Sequence, residues 1–277
     1  MRLRCLFLSL LLAVVVSAQS QWPMADSQPP ISEWSVGAGE LRTYDPTLSP
    51  QQYTGWSLHF RGYHYNYYQP KAKGQMPTAE WSFRDRFRYG NLLNASRSAR
   101  IYYYSADLTF GTHYVFRPIE GMRIRLGGAL QLYGDLKDQS RNVNNVASGV
   151  VQFQALATFH LSYHKDFTSR FAMTFSYGCE TPLVGCRFAP GYGESYYEIY
   201  LKLPDLTDNV AFTSLHNHQA LMGDLRVDFL FDGKGSLFLT FNHEHDYFRH
   251  ANSLFYQNDL SGAIGFALRL QAISIDN

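Results

Sequence analysis

The sequence predicts an all-β fold, a transmembrane antiparallel up-and-down β-barrel. Three observations carry this prediction. The segment from Ala99 to Lys137 alternates between apolar and polar residues, and a period of two is typical of a strand with two different faces. Its strands are longer than the roughly five or six residues usual in soluble sheets. Aromatic residues make up 16% of the chain, and Tyr and Trp favour the membrane interface.

The composition also excludes other classes of protein. Hydrophobic residues make up 45% of the chain, yet no apolar run reaches the roughly twenty residues that a membrane-spanning helix needs. Because every backbone polar group in hydrocarbon must be paired, an alternating sequence crosses a bilayer only as a closed sheet. A formal net charge of +1 argues against a nucleic-acid-binding protein. We therefore expect a bacterial outer-membrane protein whose partners are outer-membrane lipids.

The start of the chain predicts a secretory signal. A basic segment, Met1–Arg4, precedes an apolar run, Leu6–Val16, and small residues then place the cleavage site between Ala18 and Gln19. Cys5 lies ahead of the apolar run, so no lipid anchor is expected. The predicted organisation is a signal peptide at 1–18, a flexible periplasmic lead at 19–32 and an outer-membrane barrel at 33–277.

Taken in order, the alternating segments predict about twelve strands, with ten and fourteen as the alternatives. They lie at residues 34–44, 53–68, 80–89, 99–116, 122–137, 151–163, 171–177, 196–203, 212–216, 221–231, 237–248 and 259–270. Tight turns near Glu120, Thr168 and Gly233 follow even-numbered strands, and longer loops follow odd-numbered ones. Outer-membrane barrels alternate short periplasmic turns with longer extracellular loops, so both termini are expected in the periplasm. The last strand is of the kind that the outer-membrane insertion machinery reads.

The polar faces of these strands carry charges that are expected to point into the lumen. They are Arg61, Arg84, Arg86, Arg88, Asp107, Arg123, Arg125, Asp224, Arg226, Asp228 and Arg269. Since cations and carboxylates are mixed, they can pair, and a barrel of about twelve strands has a narrow interior. We therefore expect a mostly filled lumen and a structural or surface-interaction role. The alternative is a narrow porin or transporter for small polar or anionic solutes.

Two cysteines, Cys179 and Cys186, follow the signal peptide. Exported proteins fold where disulfides form, so we expect these two to pair. The disulfide would close a small surface loop that contains Pro182 and Gly185. A long segment between strands, residues 179–195, is expected to hold this loop.

Several histidines fall near the predicted extracellular rim. His216, His218, His243 and His245, with Glu244 and Asp246, have side chains that bind transition metals. Their spacing matches no helical zinc motif, and His243 and His245 share a face with Leu239 and Phe241. The expected interpretation is therefore a set of interfacial polar residues without a metal, and no cofactor is expected.

Ser214 and His216 raise an enzymatic alternative. Outer-membrane phospholipases are also barrels, and they use Ser and His on the outer wall. The residues around this pair do not resemble that family, and no third residue can be placed to orient the histidine. We therefore expect no enzyme, with a lipid hydrolase as the alternative.

The segment that begins at Pro182 is the most individual part of the chain. It contains Gly185, Phe188, Pro190, a Gly-Tyr-Gly run at 191–193 and a Ser-Tyr-Tyr-Glu run at 195–198, and Phe-Thr-Ser-Leu-His-Asn follows at 212–217. These motifs resemble a family of uncharacterised small outer-membrane β-barrels of Bacteroidetes. The resemblance covers most of the mature chain. It implies a barrel in the outer membrane and no particular activity.

Overall fold

The structure is a computed structural model that describes residues 31–68, 79–139, 147–168, 170–188, 209–231, 235–250 and 253–269. The predicted signal peptide with its cleavage site at Ala18 and Gln19, and the predicted strand at 196–203, lie outside the described residues. Among the described residues, no helix has the length and apolar character needed to span a membrane. The strands are β1 (Ile31–Tyr44), β2 (Gln52–Tyr67), β3 (Ala79–Asn94), β4 (Arg100–Phe116), β5 (Met122–Asp138), β6 (Ala147–Thr168), β7 (Phe171–Phe188), β8 (Val210–Ser214), β9 (His218–Phe231), β10 (Gly235–His250) and β11 (Ser253–Arg269).

These strands form one antiparallel sheet that closes on itself. The neighbours follow the order β6-β5-β4-β3-β2-β1-β11-β10-β9-β7, and pairing of β6 with β7 completes the ring. The described part of the ring therefore holds ten strands, one of the two alternatives to the twelve expected. β8 adds no position to the ring. It pairs with the end of β7 at Val184–Phe188, while β9 pairs with β7 at Phe171–Glu180, so β8 and β9 share one edge.

The predicted loop after residue 177 is wrong, because β7 continues through it to Phe188. The register against β6 shifts between Pro182 and Val184, which marks a β-bulge. Proline and glycine signal turns in most sequences, but a bulge is one of the few places where a strand accepts proline. The turn signals at Pro182 and Gly185 therefore describe an irregular strand.

The predicted disulfide is also wrong, since Cys179 and Cys186 are free thiols. Both lie on β7. Seven residues of extended strand separate their Cα atoms by roughly 20 Å, whereas a disulfide needs them within about 7 Å. The bulged strand that replaces the predicted loop thus removes the geometry on which the pairing depended.

The two faces of the sheet have opposite characters. Outward positions carry large exposed apolar side chains on every long strand except β3, as at Phe60, Leu130 and Leu225. Inward positions carry buried polar side chains such as Ser57 and Gln131. This distribution inverts that of a soluble protein and fits a closed sheet in lipid, where no backbone edge is left unpaired. The protein is an outer-membrane β-barrel.

Strand pairing gives the barrel two different ends. Ile31 pairs with both Arg269 and Tyr65, which places the first and last strand ends beside the turns that join β4 to β5 and β6 to β7. We call this the turn end. The opposite end, which carries the connections at 45–51 and 95–99, is the loop end. Gly121 in the first of these turns has φ +77°, a conformation that glycine adopts without steric cost.

The connection from β1 to β2 folds inward across the loop end. Leu48 packs in a buried cluster with Leu41, Tyr53 and other apolar residues. Asp45 accepts hydrogen bonds from Lys137 Nζ at 3.1 Å and from Ser148 Oγ at 2.8 Å. Burial alone would raise the pKa of Asp45, but the Lys137 charge and these hydrogen bonds hold it below its ordinary value of 3.8. The three polar residues, which we call the latch, join this connection to β5 and β6.

Candidate functional site

Three arginines reach into the middle of the lumen from one strand. Arg84, Arg86 and Arg88 occupy alternate positions of β3, so all three point inward. Arg88 is completely buried. A guanidinium without water needs carboxylate or aromatic partners in compensation, and the structure supplies both.

The carboxylates come from four other strands. Arg84 donates to Glu180 of β7 at 2.8 Å. Arg86 donates to Asp107 of β4 and to Glu244 of β10, each at 2.6 Å. Arg88 lies 3.1 Å from Glu244 and 3.6 Å from Asp259 of β11. We call these residues the arginine layer, namely Arg84, Arg86, Arg88, Asp107, Glu180, Glu244 and Asp259.

The arginine layer joins opposite walls of the barrel. In the ring, β7 and β10 each lie four positions from β3, so the bonds from Arg84 and Arg86 cross the lumen rather than follow the wall. The guanidinium of Arg88 also lies over the rings of Tyr103 and Tyr133, at 5.7 and 5.8 Å from their centroids. Charge-assisted hydrogen bonds of this kind fix side-chain geometry, and the layer thereby fills the middle of the lumen.

The lumen is also filled between the arginine layer and the loop end. The hydroxyls of Tyr103 and Tyr133 lie 2.9 Å apart, and Gln257 donates to Tyr103 at 3.1 Å. Gln139 donates to Tyr53 at 2.9 Å. Above these contacts lies the latch, so polar side chains continue from mid-barrel to the loop end.

A cavity of about 910 Å³ occupies the other half of the lumen, toward the turn end. We call it the vestibule. Its wall includes the three tyrosines at the end of β2, at positions 63, 65 and 67. Arg226 on the wall is neutralised by hydrogen bonds to Asp228 at 2.9 Å and to Glu33 at 3.1 Å. Arg123 donates to the Tyr67 hydroxyl. The barrel thus combines a filled half with a hollow half.

The predicted lumen residues fall into two groups. Arg84, Arg86, Arg88 and Asp107 meet in the arginine layer, whereas Arg61, Arg123, Arg125, Asp224, Arg226 and Asp228 line the vestibule. Arg125 bonds to Glu80 at 2.9 Å. The side chain of Arg269 lies outside the described residues.

Four lumen carboxylates escape the sequence analysis, namely Glu33, Glu80, Glu180 and Asp259, and a fifth, Glu244, appears there only beside the histidines. Glu80 shares the parity of Arg84 on β3, and Glu244 has the opposite parity to Phe241 on β10. The alternation of the sequence could therefore have found both. Glu180 lies in the predicted loop at 179–195, where alternation predicts no face, whereas in the structure it lies on β7.

The histidines of the loop end point in different directions. His218 is buried in the lumen and bonds to Asp246 at 2.9 Å. His243 and His245 lie on the opposite face of β10 from Glu244, and His216 is in the turn after β8. Among the described residues, no group of three or more His, Cys, Asp or Glu side chains is placed to hold a metal ion.

Ser214 and His216 are joined directly. Ser214 Oγ lies 2.5 Å from His216 Nδ1 in an exposed turn at the loop end. Asn217 Oδ1 accepts the Ser214 backbone N–H at 2.9 Å, which fixes the turn. Within the described part of the chain, no carboxylate oxygen lies within 4.0 Å of His216.

Comparison with known proteins gives a family and several similar folds. The chain is similar to the transport unit of the autotransporter AIDA-I from Escherichia coli, at 9% identity over 93% of this chain and 97% of that chain, with a TM-score of 0.47. It is similar to the outer membrane protease OmpT from Escherichia coli at 9% identity, over 90% and 99% of the two chains, with a TM-score of 0.48. It is also similar to the translocator domain of the autotransporter NalP from Neisseria meningitidis at 10% identity, over 96% of each chain, with a TM-score of 0.40.

No curated protein matches the sequence. The model of one family, described as a protein of unknown function (DUF3316), matches residues 4–246. That match covers most of the chain, and the chain therefore belongs to this family of unknown function.

Proposed function

We propose that this protein is a closed outer-membrane barrel with a structural or surface-interaction role, and that it forms no continuous pore. The arginine layer carries the proposal. Its ion pairs join β3 to β7 and β10 on the opposite wall, and a solute crossing the barrel would have to break charge-assisted bonds between desolvated groups. The latch adds a second barrier at the loop end.

Orientation follows from the lengths of the connections. Short turns of outer-membrane barrels are periplasmic, so the turn end and the vestibule face the periplasm, and the latch faces outward. The alternating outer face contacts membrane lipids, and β11 is the strand that the insertion machinery reads during assembly. The Bacteroidetes origin that the family resemblance implies stays a prediction.

Conductance in planar bilayers tests the closed lumen. The mature chain, residues 19–277, is refolded, and a heat-modifiability gel confirms that the barrel has formed before the measurement. We expect no steady single-channel conductance from the folded barrel. Steady openings would overturn the proposal.

A second candidate, a narrow porin for small polar or anionic solutes, is favoured by the arginines on the vestibule wall. Steady conductance with anion preference would support it. In that case the charge reversal Arg61→Glu should lower the anion preference, while Arg42→Glu on the exposed outer rim should leave it unchanged.

We propose no catalytic role for Ser214 and His216. The His216 ring has no carboxylate partner among the described residues, and such a partner is what orients the histidine in a catalytic triad. Fatty-acid release from phospholipid vesicles tests this statement. Release that the folded barrel catalyses and that Ser214→Ala abolishes would establish the lipid-hydrolase alternative instead.

A further inference from the structure

Two opposite charges in the lumen stand apart from the paired ones. Arg61 on β2 and Asp224 on β9 point inward from strands four positions apart in the ring. Among the described residues, neither has an oppositely charged atom within 4.0 Å. The contact of the Arg61 guanidinium is with the Tyr63 ring, 5.7 Å from its centroid. Both side chains are half-buried and line the vestibule, so each is free to hold a charged group of a ligand.

Both residues lie where the vestibule meets the arginine layer. They line the vestibule and also two smaller cavities of about 20 and 50 Å³. The cavity of about 50 Å³ also reaches Arg84 and Glu180 of the layer. Arg61 and Asp224 therefore stand at the inner wall of a space that is open toward the turn end and closed beyond it.

The backbone makes room for Asp224. Gly178 pairs with Asp224 across β7 and β9, and a Cβ added at Gly178 would overlap the Asp224 carboxylate and meet His160 Nδ1 at 2.9 Å. Since glycine weakens a strand interior, its presence here fits a position at which the carboxylate must be held in the cavity.

A tyrosine stripe leads from the turn end to Arg61. Tyr67, Tyr65 and Tyr63 follow one another on the inward face of β2, with ring centroids 6.3 and 5.6 Å apart. Aromatic rings offer an apolar body with a polar tip. The stripe therefore provides an apolar surface beside an otherwise charged wall, and its inner end adjoins the guanidinium.

We propose that the vestibule binds an α-amino acid with an apolar or aromatic side chain. Its carboxylate would lie on Arg61, whose planar fork matches a carboxylate, and its ammonium group on Asp224, with the side chain along the tyrosine stripe. A cavity of about 910 Å³ is within the range of small-molecule sites, about 300–1,000 Å³.

The charges on the wall favour this class over a simple anion. An anion on Arg61 would leave Asp224 unpaired. Arg226 is already bonded to Glu33 and Asp228, so it offers no further cationic site. A ligand with both charges satisfies both partners, and the inference does not depend on whether the lumen conducts.

Calorimetric titration of the folded barrel in detergent tests the proposal, with L-phenylalanine as the probe. Two companion probes each lack one charge: 3-phenylpropionate has no ammonium group and 2-phenylethylamine has no carboxylate. Hydrogen bonds to charged groups contribute about 1.5–3 kcal/mol, so each companion should bind about tenfold or more weakly. Empty micelles correct for partition into detergent.

Two variants test which residue binds which charged group of the ligand. Asp224→Asn should remove the preference for L-phenylalanine over 3-phenylpropionate, and Arg61→Gln should remove its preference over 2-phenylethylamine. Arg42→Gln, which removes an exposed arginine of β1 outside the vestibule, should change the affinity by less than about twofold. The wild-type comparison of probes stands even if one variant fails to fold. Absence of L-phenylalanine binding up to about 10 mM, or equal binding of all three probes, would overturn the proposal.

Discussion

Replacing Glu244 with Gln tests whether the arginine layer stabilises the barrel. Glu244 lies 2.6 Å from Arg86 and 3.1 Å from Arg88, and all three side chains are largely shielded from water. The variant keeps the size of the side chain but removes its charge. Arg86 would then keep Asp107, and Arg88 would keep Asp259 at 3.6 Å. Breaking a buried pair from one side costs about 3–5 kcal/mol, so we expect a loss near 3 kcal/mol.

Urea unfolding in lipid vesicles, followed by tryptophan fluorescence, measures this loss. The matched control is Glu40→Gln, because Glu40 and Arg42 form an ion pair at 2.7 Å whose side chains are 49% and 51% exposed. Exposed pairs contribute about 0–1 kcal/mol, so the control should unfold almost as the wild type does. A loss below about 1 kcal/mol for Glu244→Gln, or one equal to that of the control, would refute the reasoning.

Three further predictions concern the connections and β7. The pKa of Asp45 in the folded barrel is depressed below 3.8. Its charge therefore stabilises the barrel above the unfolded pKa, and this contribution is lost as pH falls through the folded pKa. The variant Asp45→Asn should lower the urea midpoint at pH 7, and its difference from the wild type should vanish in strong acid. Gly121→Ala should cost about 1–2 kcal/mol in the same assay, since φ is +77° there. Alkylation without reductant should modify both Cys179 and Cys186 of the unfolded chain, and a need for prior reduction would contradict the free thiols.

The alternation of the sequence was sufficient to predict much of the barrel. Side chains of a strand change faces at every residue, so the inward arginines of β3 followed from parity alone. Parity fails where the strand is irregular. The bulge beside Pro182 in β7 has the proline and glycine content of a turn, and this explains both the wrong loop and the wrong disulfide.

Alternation also predicts which face of a strand a residue lies on, but not its position along the barrel axis. Arg86 pairs directly with Asp107 in the register of β3 and β4, so this contact was within reach of a local argument. Glu244 is 158 residues from Arg86 in sequence. Their contact depends on how closure of the ring staggers distant strands along the barrel axis. Alternation within single strands does not predict this stagger.

This dependence on closure leads to a kinetic prediction for Glu244→Gln. β10 reaches β3 only through β11, β1 and β2 on one side of the ring, or through β9 and β7 and then β6 to β4 on the other. The bond from Arg86 to Glu244 therefore forms after most strand pairs are in place. An interaction absent from the transition state affects unfolding and not folding. We expect the variant to refold at a rate within about twofold of wild type, and a loss near 3 kcal/mol corresponds to unfolding roughly a hundredfold faster. Slower refolding with an unchanged unfolding rate would instead place the arginine layer in the folding nucleus, ahead of ring closure.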